Sequence, residues 1–107
     1  MNDATLSARD LASFERQAGA VAALLKSLAN QRRLMVMCQL VENGEMRVTD
    51  LAAAVGLSQS ALSQHLAVLR DQALVAFRRD SQVLWYSIAD PRVERLLATL
   101  HDLYCQD

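Results

Sequence analysis

Two cysteines, Cys38 and Cys105, and two histidines, His65 and His101, are the side chains of this 107-residue sequence with the most reactive chemistry to offer. A cysteine thiolate is a nucleophile, and two thiols can close one disulfide. The pair is not a Cys-x-x-Cys motif, and neither a glycine-rich cofactor loop nor a converging Ser-His-Asp set accompanies it. A thiol-based enzyme, such as a peroxide or persulfide reductase, is therefore the less favoured class. With only these four strong soft or borderline ligands, a metal site would be poorly furnished. Cys38 lies on an apolar stripe, where a thiol commonly does no more than pack. Cys105 has no evident core role. His101 reads as an ordinary polar residue of the last helix.

The second constellation is a hydrogen-bonding surface. From Thr49 to Arg70 the pattern is a short helix, a tight Gly56-Leu57-Ser58 connection and a second helix, which is a helix-turn-helix. In the second helix Leu62, Leu66 and Leu69 are spaced to pack inward. Ser60, Ser63, Gln64 and Ala67 fall on the other side, with Ser58 and Gln59 at the N-terminal end and His65 within the motif. A merely solvated face would favour Lys and Glu, whereas short polar groups are weak helix formers. Such groups suit close approach to base edges, glutamine to adenine and serine to any base. Helix N-terminal amides also favour phosphate. Downstream, Arg78 and Arg79 sit near the tip of an expected hairpin with Gln82 across the turn, placed for a neighbouring groove, for phosphates or simply for solvent. Arg32 and Arg33 are further phosphate candidates, Arg33 alternatively a structural pairing residue.

Other elements must hold these groups. Ser7 and Asp10 open a helix expected to run to Leu28. Its apolar residues Leu11, Phe14, Ala18, Val21, Leu25 and Leu28 recur in 3-4-3-4-3 steps, a heptad seam. That seam is either a core stripe or a contact between two copies; its length and regularity favour the second. Asn30 caps a second helix bearing Leu34, Met37, Cys38 and Val41 on one face and ending at Gly44. The third helix starts near Thr49, and Ser58 caps a fourth that reaches Asp71 or Gln72. Strands Val75–Arg79 and Val83–Ile88 form the hairpin. Asp90-Pro91 opens a last helix to about Tyr104, with Val93, Leu96, Leu97, Leu100 and Leu103 as its stripe. The expectation is thus a mainly α fold with a small β-hairpin, in the order four helices, two strands, one helix. Residues 1–6 are expected to be a flexible tail and residues 7–107 one winged helix-turn-helix domain.

Composition is that of an ordinary globular domain, 52% hydrophobic and 21% charged. A net charge of −1 does not announce nucleic acid, so any basic surface must be local. The polar, acidic N-terminus does not read as a signal peptide, and the apolar run Ala18–Leu25 is far below the ~20 residues of a membrane span. A cytoplasmic protein with no membrane partner and no cofactor is expected, in which a disulfide would be conditional rather than permanent.

Over about Leu24 to Tyr104 the chain resembles the ArsR/SmtB family of winged-helix repressors. The resemblance rests on Leu28-Ala-Asn-Gln-Arg-Arg-Leu34, on Leu57-Ser-Gln-Ser-Ala-Leu-Ser-Gln-His-Leu66 and on Val83-Leu-Trp-Tyr-Ser-Ile88. It implies a homodimer built from the first and last helices, with Leu11, Phe14, Ala18, Val21, Leu25, Leu96 and Leu100 at the interface. It also implies double-stranded operator DNA as partner, with the fourth helix in the major groove. Two departures stand out. Ala73 replaces a common glycine. The positions of the family's Cys-x-Cys metalloid ligands hold Arg47 and Thr49, and its last-helix metal set is also incomplete, because Arg92 follows Asp90 and His101 lacks matching partners. Cys38 in Val36-Met-Cys-Gln-Leu40 and Cys105 in Leu100-His-Asp-Leu-Tyr-Cys105 resemble the cysteine pair of the persulfide-sensing BigR-type branch. That similarity implies a repressor released when reactive sulfur species or oxidants join the two thiols. A regulator with another inducer, an anti-repressor and a non-DNA-binding interaction module are the alternatives.

Overall fold

Local signals account for most element boundaries. The computed structural model describes residues 7–105; the expected tail, residues 1–6, lies outside the described residues. Helix α1 (Ala8–Leu28) begins where Ser7 Oγ accepts the Asp10 N–H at 3.1 Å. Helix α2 (Gln31–Asn43) begins where Asn30 Oδ1 accepts the Arg33 N–H at 3.1 Å, and Gly44, at φ 81°, stops it. After strand β1 (Met46–Arg47) come α3 (Val48–Val55) and α4 (Gln59–Asp71), the latter capped by Ser58 Oγ on the Ala61 N–H at 3.1 Å. Strands β2 (Val75–Asp80) and β3 (Val83–Ile88) follow, and α5 (Pro91–Tyr104) starts on Asp90, whose carboxylate accepts the Arg92 N–H at 2.9 Å.

The core draws on every helix and on the sheet. Leu28, Val36, Met37, Leu40, Leu51, Leu62, Leu66, Leu69, Val75, Tyr86, Val93 and Leu97 are all buried. Full burial of one such aliphatic side chain is worth about 1.5–3 kcal/mol, so this cluster holds the helix-turn-helix against the sheet. Three details differ from the sequence reading. In α2 the buried set is Val36, Met37 and Leu40, while Leu34, Cys38 and Val41 are half-buried at its edge. The α5 stripe divides: Val93 and Leu97 enter the core, whereas Leu103 is 61% exposed. The sheet has a third strand, β1, giving the antiparallel order β1-β3-β2 with Arg47 opposite Trp85 and Arg78 opposite the same residue. Two residues are too few to show alternation, so β1 exists only through its partner.

The ends of α3 and α4 share one motif. At the end of α3, Leu57 N–H reaches Ala52 O at 3.0 Å around left-handed Gly56. At the end of α4, Leu74 N–H reaches Leu69 O and Ala73 N–H reaches Arg70 O, both at 2.9 Å, around Ala73 at φ 58°. This is the Schellman geometry, with an alanine where glycine is free of the Cβ clash.

Helix α1 stands away from the body. Residues 8–17 are all exposed, and only Ser27 and Leu28 are buried. The resulting radius of gyration, 15.7 Å, exceeds the ~13 Å of a compact chain of this length. Leu11, Phe14 and Leu25 are each more than half exposed, while Ala18 and Val21 are half-buried. Leu100, Leu103 and Tyr104 of α5 add to the exposed apolar surface, with Leu96 half-buried beside them.

Candidate nucleic-acid interface and thiol pair

Burying Leu62, Leu66 and Leu69 turns the opposite side of α4 outward. Ser58, Gln59, Ser60, Ser63 and Gln64 are exposed together on that side. His65 is half-buried at its edge, and its Nδ1 accepts a hydrogen bond from Arg33 Nε at 3.3 Å. The same guanidinium donates through Nη1 to Ser27 O at 3.3 Å. Arg33 is therefore a pairing residue between helices. Burial first, then the charges of Arg33 and Arg32, hold His65 below the ordinary histidine value.

The β2–β3 hairpin forms the wing. Its turn is Ser81-Gln82, with Ser81 at φ 57° and both residues exposed. Gln82 and Gln59 line one cleft of about 420 Å³ with Arg47 and Thr49, so the wing tip and the start of α4 face a common space. The two wing arginines are not equivalent. Arg78 grips Glu45 through two hydrogen bonds, Nε to Oε2 at 2.8 Å and Nη2 to Oε1 at 2.9 Å. That grip pulls the Glu45 carboxyl below the usual carboxylate range. Arg78 also lies 5.5 Å over the Trp85 ring, and Arg47, held by Asp50 at 2.9 Å, lies 5.8 Å from the same ring. Arg79 has no ion pair among the described residues. At the base of the wing, Arg70 of α4 donates to Tyr86 Oη at 3.3 Å and covers Phe77 at 5.4 Å, which ties helix to sheet.

The thiols occupy the facing elements α2 and α5. Cys38 is half-buried and lines a pocket of about 330 Å³ with Met35, Glu42, Leu97, His101 and Asp102. Cys105 is exposed at the end of α5, and its backbone N–H donates to His101 O at 2.8 Å. Both are free thiols. Burial pushes the Cys38 thiol above its usual range, and the nearby Cys105 charge adds to the effect. Among the described residues no three His, Cys, Asp or Glu side chains gather as a metal site. No helix there is long and apolar enough to cross a membrane.

Residues 30–76 match the family described as bacterial regulatory protein, arsR family. The transcriptional activator HlyU of Vibrio cholerae is 42% identical over 97 residues, covering 91% of this chain and 89% of that protein. The chain belongs to the arsR family of bacterial regulators. This arsR-family chain also superposes on solved structures of relatives. Reduced HlyU of Vibrio cholerae gives a TM-score of 0.81 at 42% identity, over 88% of this chain and 98% of that one. The transcriptional repressor BigR of Xylella fastidiosa gives 0.81 at 36% identity, over 89% and 96%. The homodimeric winged helix-turn-helix domain Mb0332 of Mycobacterium bovis gives 0.72 at 33% identity, over 94% and 89%. The fold is accordingly a winged helix-turn-helix, and the protein a transcriptional regulator.

Within this arsR-family site, sequence reasoning had passed over Glu45, Asp50 and the stacking role of Trp85. The two carboxylates stand far from Arg78 or beside Arg47 without any motif to mark them. The Arg47–Trp85–Arg78 ladder needs the register of a three-stranded sheet, which no local pattern reveals.

Proposed function

We propose that this regulator is a homodimeric repressor that leaves its operator when Cys38 and Cys105 become linked. The observation that carries the reading is the placement of a half-buried thiol on α2 and an exposed thiol at the C-terminal end of α5, the helix packed against it. The dimer forms through Leu11, Phe14, Ala18, Val21 and Leu25 of α1 with Leu96 and Leu100 of α5; the exposure of Leu11, Phe14 and Leu25 supports this, as does the homodimeric relative. Each α4 then enters a major groove with Ser58, Gln59, Ser60, Ser63, Gln64 and His65, while Arg79 and Gln82 of the wing reach the flanking backbone. Arg78 contributes little phosphate contact while Glu45 holds it.

Cys105, being exposed and free of the burial that suppresses Cys38, attacks first. Its thiolate takes the outer sulfur of a persulfide R–S–SH, giving Cys105–S–SH and expelling R–S⁻. Cys38, once deprotonated, attacks the Cys105 sulfur, forms the disulfide and releases HS⁻. With a hydroperoxide, Cys105 becomes a sulfenic acid and an alcohol leaves; Cys38 then displaces water. The link ties α2 to the end of α5, one of the two dimer helices. Recognition helices must match half-sites about 34–36 Å apart, so a small rotation loses one of them.

DNA-binding titrations with the protein's own upstream DNA, before and after persulfide treatment, test this, with mass spectrometry locating the link. Unchanged affinity after complete Cys38–Cys105 linkage refutes it. A relative named as an activator favours a second reading, in which the bound protein displaces another repressor. Transcription from the same promoter in a purified system separates the two.

A further inference from the structure

We propose that Arg33 is a positioning residue for recognition: by donating to His65 Nδ1 it fixes α4 against α1 and sets His65 as an outward N–H donor. The inference rests on the DNA-binding reading above. One guanidinium spans three helices, leaving α2 to reach the recognition helix at 3.3 Å and the last turn of α1 at 3.3 Å. The α1 end of this link is the carbonyl of Ser27, a residue only 3% exposed, so that anchor cannot be traded for water without opening the structure.

The partners of Arg33 are neutral acceptors. Arg47, Arg78 and Arg92 are each neutralised by a carboxylate, whereas Arg33 has no ion pair among the described residues. A directional bond to an imidazole nitrogen, not charge pairing, is what this arginine supplies. Because Nδ1 accepts, a neutral His65 must carry its proton on Nε2. That leaves a donor, suited to a phosphate oxygen or to a purine N7 or guanine O6.

Protonation of His65 would place an Nδ1–H against the Arg33 Nε–H, two donors facing. The charges bearing on His65 both come from α2, Arg33 and Arg32, and α1 contributes only the Ser27 carbonyl through Arg33. Burial and these two cations favour the neutral ring. The link is therefore intact at neutral pH and lost as pH falls below the ordinary histidine value of 6.5. Elsewhere, falling pH tightens DNA binding non-specifically, so the diagnostic quantity is the ratio of operator to non-operator affinity.

Long-range proton–nitrogen NMR of the full-length reduced protein reads the tautomer directly. The expected result is Nε2–H with a bare Nδ1, a bias that Arg33→Lys removes. An Nδ1–H tautomer overturns the proposal whether or not DNA is bound. His65→Asn keeps an acceptor where Nδ1 was, and His65→Gln keeps a donor where Nε2–H was. Arg33→Lys should lower the operator-to-non-operator ratio by about tenfold in the parent and in His65→Asn, where an acceptor for the guanidinium remains, and by less than about twofold in His65→Gln, where none does, a charged hydrogen bond being lost only in the first two. The parent's ratio should also fall as pH is taken from neutral to below the ordinary histidine value of 6.5, and that of His65→Asn should not. An equal effect of Arg33→Lys in the Asn and Gln variants overturns the positioning role. If the parent shows no operator preference while the Nε2–H tautomer is present, the DNA-binding reading has failed, not the Arg33–His65 geometry.

Discussion

Replacing Arg79 should reduce the salt dependence of operator binding, and replacing its neighbour Arg78 should not. Sequence makes the two arginines look alike, but geometry separates them. Arg78 has both arms on Glu45 and its face on Trp85, whereas Arg79, one residue along β2 and therefore on the other side of the strand, has no ion pair. Each phosphate neutralised contributes about 0.9 to the slope of log affinity against log salt, so losing one Arg79 contact in each half of a dimer removes about 1.8. Between about 50 and 200 mM salt, a fourfold change, that amounts to about a twelvefold smaller loss of affinity in Arg79→Ala than in the parent. Arg78→Ala should keep the parental slope. Glu45→Gln should steepen it by about the same amount, because the guanidinium it held becomes available. Fluorescence anisotropy on an operator duplex across a salt series measures all three. Equal loss of slope in Arg78→Ala and Arg79→Ala would refute the claim that the Glu45 grip decides which arginine meets DNA.

Ala73→Gly relieves the left-handed alanine at the end of α4 and should stabilise the protein by about 1 kcal/mol. At the usual entropy of unfolding that raises the melting temperature by about 4 °C at fixed protein concentration; calorimetry showing no rise would contradict the strain argument. Phe14→Ala should weaken self-association by about 2 kcal/mol, roughly thirtyfold, if this exposed ring anchors the partner helix; sedimentation velocity showing an unchanged dimer removes α1 from the interface. Cys105 should be alkylated before Cys38 at neutral pH. Because burial raises the Cys38 thiol above its ordinary value of 9.0, its rate should climb only as pH passes beyond that value, and mass spectrometry finding Cys38 modified first would reverse the proposed order of attack.

Helix ends were legible because their causes are local. Ser7, Asn30, Ser58 and Asp90 each cap the backbone within three residues, and Gly44 and Gly56 stop helices by backbone conformation alone. The inward set of α4 was legible too, since Leu62, Leu66 and Leu69 repeat at the helical period against a polar remainder. The α2 face was read less well, because Leu34 to Val41 is apolar nearly all round and periodicity cannot choose among its sides. Choosing Val36, Met37 and Leu40 for burial required α3, α5 and the sheet to be in place.

The chain by itself determined the order of helices, the helix-turn-helix and its serine- and glutamine-bearing face, because each follows from spacing within a few residues. Only the tertiary structure decided which charges are spent and which remain. Glu45 reaches Arg78 across 33 positions, and Arg33 reaches His65 across 32. The β1–β3–β2 register places two arginines on one tryptophan. Contacts of that range arise when separately specified elements pack together, and hydrogen-bond partners then depend on ångström-scale approach that no one-dimensional pattern encodes.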